Sequence, residues 1–276
     1  MPRTLLGGGP APTLVALILA CTLAPLPAEA GRRAFLFVYD TEIVPEGDVE
    51  LEQWWWSESR IPRNNDRPNG RPAWYWIWSA PVIGLSNHLE LSFPFQIFAT
   101  STTTSLQQFS AEAYYRFYSR EKEGGFQPLV RLSYHHAIAK GGPSTVAPST
   151  VETDVVLGFG KPNQLHLVVN ATAEVSLPWP EGQAPLPRPF LLPSVSGGVS
   201  YPLVPGGELR LSAEALAEFQ VSSQSTSIDF PRYFVGGALS WTRGRVWITA
   251  GTLVGLTGLS SASPPFIPRL LWAVAL

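Results

Sequence analysis

The stretch ELRLSAEALAEFQVS, residues 208–222, decides whether this chain is helical or extended. Its Ala, Leu and Glu residues favour helices in peptides. As a helix, however, the segment would mix Leu209, Leu216 and Gln220 on one face, which is a poor apolar stripe. As a strand it has one complete apolar face, made of Leu209, Leu211, Ala213, Ala215, Ala217, Phe219 and Val221. Because helix propensity is a weak preference that context overrides, the pattern predicts a β-strand.

The same alternation recurs in other segments along the chain. It is present in HLELSFPFQIF (88–98), QQFSAEAYYRFYS (107–119) and QLHLVVNATAEVSL (164–177). Shorter and longer connections alternate between these segments, which gives about twelve strands, an even number of the kind that outer-membrane barrels have. We therefore predict an all-β fold, a single closed antiparallel transmembrane β-barrel with both chain ends in the periplasm. Closure would also remove the sheet edges that hydrocarbon cannot tolerate.

Composition favours a chain that faces lipid. Charged residues make up 14% of the 276 residues, against roughly 25% in a typical soluble domain. The formal net charge is −2, and no basic stripe is present, so we expect no nucleic-acid partner. Aromatic residues are plentiful, with ten Trp, as expected where rings settle at a membrane interface.

The N-terminus has the features of a secretory signal. Arg3 precedes the apolar run 13–24, and Ala28-Glu29-Ala30 forms a small-x-small cleavage site. We expect a cleaved signal peptide over 1–30, a periplasmic leader over 31–47 that either stays free or enters the lumen, and the barrel over 48–276. Cys21 is the only cysteine and lies in the signal, so cleavage after Ala30 leaves no thiol chemistry. Lipidation of Cys21 is the alternative, because Ile18-Leu19-Ala20 loosely resembles a lipoprotein processing box.

Two segments resemble known outer-membrane barrels. The final RLLWAVAL (269–276) resembles the C-terminal strand that the barrel-assembly machinery recognises, with Leu276 in place of the usual Phe. Thr41-Glu42, Pro45-Glu46-Gly47 and Glu50-Leu51-Glu52 resemble the opening segment of a poorly characterised family of Gram-negative outer-membrane barrels. The resemblance implies residence in the Gram-negative outer membrane. Its implied partners are outer-membrane lipid, lipopolysaccharide and, during biogenesis, the assembly machinery.

If the apolar faces meet lipid, the opposite faces line the lumen. The candidate lumen-lining residues are Glu50, Glu52, Glu90, Glu112, Arg116, Arg131, Glu152, Asp154, Glu174, Arg210, Glu214 and Glu218. Their excess of carboxylates would favour cations in a narrow channel for passive passage of small polar or cationic solutes. Alternatively, these charges pair and fill the interior, which gives a closed barrel that acts structurally or binds at the surface. An envelope-lipid-modifying enzyme is a third possibility.

Aromatic clusters flank the first long loop. An aromatic girdle at the headgroups is the default interpretation, formed by Trp55, Trp74, Trp76, Trp78, Trp241 and Trp272. Trp54 and Trp56 share the parity of the lumen carboxylates, so stacking on a ligand is the alternative. The arginines of loop 58–72 could bind lipopolysaccharide phosphates or could simply be solvated.

The sequence contains no recognisable catalytic constellation. No His is followed two positions later by Ser, which is the spacing of outer-membrane phospholipases. Adjacent His135 and His136 point to opposite faces of a strand and cannot share a ligand. No zinc spacing or phosphate-binding glycine loop is present. We therefore expect no enzyme activity, no cofactor and no metal.

Overall fold

The structure is a computed structural model. It describes residues 33–58, 74–99, 104–118, 125–138, 149–161, 164–177, 190–222, 228–257 and 266–276. Within these residues no helix is long and apolar enough to cross a bilayer. The strands are β1 Val49–Glu58, β2 Trp74–Gly84, β3 Leu89–Ser92, β4 Phe95–Ala99, β5 Thr104–Arg116, β6 Phe126–Ala137, β7 Thr150–Gly160, β8 His166–Ser176, β9 Phe190–Pro202, β10 Leu209–Ser222, β11 Ile228–Arg243, β12 Val246–Gly255 and β13 Phe266–Ala275.

Antiparallel pairing of β1 with both β2 and β13 closes the sheet. The short strands β3 and β4 both pair with β2 and with β5, so they are two halves of one crossing. The break falls at Phe93-Pro94, where proline has no N–H to give to a ladder. The fold is thus a closed barrel of 12 crossing strands, which confirms the predicted class.

The two faces of the strands differ as the alternation predicts. In β10, Leu211 on the outer face is 53% exposed, whereas Glu214 on the inner face is 5% exposed. Outward Leu132 and Val195 are exposed in the same way. A continuous apolar exterior on a closed sheet is stable in hydrocarbon, because closure pairs the backbone groups of neighbouring strands with each other and leaves no sheet edge.

The two ends of the barrel carry different connections. The first end, which we call the short-turn end, holds the start of β1, the end of β13 and the connections 85–88, 117–125, 161–165, 203–208 and 244–245, of which 117–125 is longer than expected. The opposite, long-loop end carries 59–73, 138–149, 177–189 and 256–265. Strand extension shortens two connections expected to be long, 100–103 and 223–227, so the predicted alternation of loop lengths is only partly present.

Residues 33–47, which we call the leader, lie inside the barrel. Of the two expected positions of the leader, free in the periplasm or inside the lumen, the structure has the second for these residues. The physical reason is apolar burial, because each of three buried clusters joins leader side chains to the inner wall. Phe35 and Val38 pack with Leu129, Val156 and Val168. Leu36 packs with Trp247 and Leu271, and Val44 packs with Ala80 and Val82.

Candidate functional site in the lumen

Glu214 of β10 holds the backbone of the leader. Its two carboxylate oxygens accept hydrogen bonds from three consecutive amides, those of Leu36 at 2.7 Å, Phe37 at 2.8 Å and Val38 at 3.0 Å. The leader forms no strand, so these amides have no sheet partner. A buried amide without a partner is costly, and one carboxylate satisfies all three.

Ion pairs fix the leader on other sides of the wall. Arg33 lies 2.9 Å from Glu52 and 3.7 Å from Glu90. Asp40 lies 2.7 Å from Nε2 of His166. Burial alone would raise the pKa of Asp40, but the adjacent His166 and the Thr41 amide outweigh it and hold that pKa below its ordinary value. Asp40 therefore stays ionised in the lumen.

Glycines of the wall make room for the leader. A Cβ atom at Gly198 would lie 2.6 Å from Cε1 of Phe35. One at Gly158 would lie 2.7 Å from Oγ1 of Thr41, and one at Gly84 would collide with the Pro45 carbonyl. Real Cβ atoms do not approach neighbours this closely. The wall is thus shaped to the leader at three separate strands.

A compact charge cluster lies beside the leader. Arg131 is 2% exposed and forms ion pairs with Glu112 at 3.0 Å, Glu152 at 2.7 Å and Asp154 at 2.6 Å. Its guanidinium also lies 4.3 Å from the ring centre of Tyr39. This is the charge-paired interior that the sequence left open as one of two interpretations, and it occupies one side of the lumen.

A cavity of about 210 Å³ lies between the leader and the long-loop end. Phe37 and Tyr39 of the leader contribute to its lining. Hydroxyl groups of Thr172, Ser194 and Ser196 line it as well. Its charged lining residues are Glu152, Glu174, Glu218, Arg232 and Arg269. These positions lie in the half of each strand that is nearer the long loops, so we call this space the vestibule.

The structure places the candidate lumen residues on the inner face, in several different settings. Glu52, Glu90 and Glu214 contact the leader. Glu50 accepts a hydrogen bond from the Trp247 indole at 3.2 Å, and Arg210 donates to Ser200 and to the Gln164 carbonyl. Arg131 forms ion pairs with Glu112, Glu152 and Asp154. Glu174 and Glu218 line the vestibule, and Arg116 is buried near the short turn 85–88.

The aromatic residues divide between the two faces. Trp55 is exposed on the outside, and Trp241 and Trp272 are half-buried there. The side chains of Trp74, Trp76 and Trp78 lie outside the described residues, as does most of loop 58–72. Trp54 and Trp56 face inward, where Arg269 stacks on both at 5.4 and 5.2 Å. A protein cation therefore occupies these two rings.

Sequence reasoning missed the leader side chains, His166 as their ion-pair partner and the hydroxyl residues of the vestibule. The run Ala34-Phe35-Leu36-Phe37-Val38 was a usable signal, because five consecutive apolar residues are unsuited to a free periplasmic segment. Among the described side chains, no group of three or more His, Cys, Asp and Glu is arranged to hold a metal ion.

Comparison with protein-family models and with curated proteins found no match. Two solved structures resemble this chain over most of its length. One is the NanC porin, with a TM-score of 0.55 and 9% identity over 83% of this chain and 100% of that one. The other is an outer membrane channel from Pseudomonas putida F1, with a TM-score of 0.59 and 8% identity over 86% of this chain and 98% of that one. The fold is that of an outer-membrane β-barrel. Identity this low establishes the fold alone.

Proposed function

We propose that this protein is a channel of the Gram-negative outer membrane for small polar or cationic solutes, and that the leader closes it at rest. The observation that carries the proposal is the vestibule. This polar space lies in the long-loop half of the lumen, and the leader lines its inner side. Its lining includes three carboxylates and two arginines, an excess that favours cations. The channel names of the two similar structures agree with this function.

The leader is suited to move without disturbing the barrel. It contributes no strand. Its Gly47 amide donates to the Gly84 carbonyl at 2.9 Å, but this hydrogen bond lies at the C-terminal end of the leader, so displacement of residues 33–44 leaves it and the strand ladders intact. Glu214, Glu52 and His166 hold it through polar contacts that water can replace. Export with removal of 1–30, contact with lipopolysaccharide and recognition of residues 269–276 by the assembly machinery belong to the same proposal. Enzyme activity does not.

A reversible disulfide tests both halves of the proposal. The Cβ of Thr41 lies 3.3 Å from the position of a Cβ at Gly158, close to the roughly 3.5–4.5 Å of disulfides. The mature chain contains no other cysteine if the signal is cleaved as expected. Thr41→Cys/Gly158→Cys would therefore tie the leader to β7.

Single-channel recording in a planar bilayer supplies the readout. We expect the reduced double variant and the wild type to show brief openings, and the oxidised variant to open at least tenfold less often. The single variant Thr41→Cys, treated with the same oxidant, is the control. If neither wild type nor reduced variant conducts, the protein is a closed barrel, the alternative that the Arg131 cluster favours. Equal conductance in both redox states would mean that the leader is not the gate.

A further inference from the structure

Two carboxylates stand side by side on one wall of the vestibule. Glu152 of β7 and Glu174 of β8 are direct partners across the antiparallel pair, an arrangement in which like charges destabilise a sheet. Glu152 is neutralised by Arg131 at 2.7 Å and lies 3.3 Å from His135. Among the described residues, Glu174 has the hydroxyl of Thr150 as its hydrogen-bond partner and forms no ion pair. Within this part of the chain, the negative charge of Glu174 is therefore not compensated.

Arg269, on another wall, is a positive charge that lacks an ion-pair partner among the described residues. Arg269 of β13 donates through Nη1 to the Leu36 carbonyl, and its guanidinium lies 4.4 Å from the ring centre of Phe37. Its Nε is buried without a hydrogen-bond partner among the described atoms. No described carboxylate lies within ion-pair distance of it. The aromatic rings and the leader therefore position this cation without neutralising it.

The lumen keeps these two charges apart. Strands β9 to β12 separate β8 from β13 around the barrel, which places Glu174 and Arg269 on nearly opposite walls. The vestibule of about 210 Å³ lies between them. This volume is below the roughly 300–1,000 Å³ of sites for drug-sized ligands, so only a small solute fits. A ligand that fits this space and completes both walls carries both a positive and a negative group.

We propose that the vestibule binds a small zwitterion of the free α-amino acid class, with its ammonium group at Glu174 and its carboxylate at Arg269. Hydroxyl groups of Thr172, Ser194 and Ser196 lie in the same lining and can form hydrogen bonds with the charged groups of such a molecule. A simple cation would leave Arg269 uncompensated, and a simple anion would face Glu174. The inference rests on the proposed function, because it names the solute class that the channel selects.

Three related probes separate the charge requirements. L-alanine carries both charges, L-alaninamide carries only the ammonium group, and N-acetyl-L-alanine carries only the carboxylate. In calorimetric titration of the full-length protein in detergent, we expect L-alanine to bind at least tenfold more tightly than either analogue. Glu174→Gln should weaken L-alanine binding at least tenfold. Glu46→Gln, at an exposed carboxylate outside the vestibule, is the matched control and should leave binding unchanged.

Several outcomes would overturn the inference. Equal affinity for L-alanine and L-alaninamide would define a cation site, and no detectable L-alanine binding would remove the site altogether. Unchanged L-alanine binding by Glu174→Gln, with circular dichroism and heat-modifiable gel mobility like wild type, would also contradict it. Binding is measured without a membrane, so its failure leaves the conductance result standing. If the barrel binds L-alanine but does not conduct, the channel proposal is contradicted, whereas the proposed binding site is supported.

Discussion

The two halves of the lumen differ in what fills them. Toward the short-turn end, the leader fills the space, its amides are bonded to Glu214, and its apolar side chains are packed against Leu129, Val156 and Val168. Toward the long-loop end, the vestibule holds Glu174 and Arg269, neither of which forms an ion pair with another described side chain. The first half is built like a protein core, and the second like a binding site. If the two proposals hold, closure and selection take place at different depths of one barrel.

We expect the largest effect on leader docking from removing the carboxylate that holds the leader. Glu214→Ala leaves the Leu36, Phe37 and Val38 amides without acceptors. Hydrogen bonds to charged groups are each worth about 1.5–3 kcal/mol, so losing those of the two buried amides, Leu36 and Val38, costs at least about 3 kcal/mol of leader docking. In a Thr41→Cys background, we expect maleimide labelling of the leader to accelerate about a hundredfold. Glu208→Ala, at an exposed carboxylate of the connection 203–208, is the control in the same background. An unchanged labelling rate would mean that Glu214 does not anchor the leader.

Filling a glycine of the wall should also displace the leader, with a somewhat smaller effect. Gly198→Val places atoms where the Phe35 ring lies, and such overpacking typically costs about 1–3 kcal/mol. We expect maleimide labelling at Thr41→Cys to rise about tenfold. Adding Phe35→Ala makes room and should restore part of the docking relative to Gly198→Val alone. Additive effects of the two substitutions would indicate that they are not in contact.

Acid should loosen the leader through Asp40. Because its pKa is lowered in the folded state, its contribution to docking is complete above the ordinary carboxyl value of roughly 4 and is lost as pH falls through the lowered value. Labelling at low pH is slow, so we would follow leader release by hydrogen exchange of residues 34–44 instead. Comparing wild type with Asp40→Asn isolates this group from Glu52, Glu90 and Glu214. Parallel pH profiles for the two proteins would contradict the assignment.

The smallest effect is expected in the long-loop half. Glu218 pairs with Arg232 at 2.8 Å, and both side chains are about a third exposed, so the pair is worth well under about 1 kcal/mol. Glu218→Gln should leave leader labelling unchanged and should slightly lower the preference for K⁺ over Cl⁻ in reversal-potential measurements. A large change in leader docking would show that the two halves are not separate.

Much of the barrel could be predicted because one physical rule fixes it. A strand between lipid and an aqueous interior alternates, and segments such as residues 208–222 carry that pattern without help from distant residues. The sequence could not assign the leader by this rule, since the leader forms no strand. The sequence nevertheless held a sign of a lumen filled by the leader, because two apolar pairs, Val155-Val156 and Val168-Val169, interrupt the alternation. The inward-facing residues of these pairs, Val156 and Val168, pack on the leader.

The vestibule was predictable only in part. The alternation along each strand predicts that Glu174 and Glu218 face the lumen. It does not predict which charges on different strands lie next to each other. That pairing depends on register, which joins Glu152 to Glu174, and on Arg131, which neutralises only the first of them. The inward apolar residues likewise show why a wholly polar lumen was too simple an expectation. Where a second polypeptide segment fills a barrel, its inner wall acquires the character of a core.

The most direct measurement of leader docking is the state of two introduced cysteines. We would purify Thr41→Cys/Gly158→Cys from outer membranes under oxidising conditions and quantify the linked peptides by mass spectrometry. A docked leader predicts nearly complete disulfide formation within each chain and no maleimide labelling until reductant is added. Two free thiols that both label readily would contradict the docked leader, and with it the closed resting state.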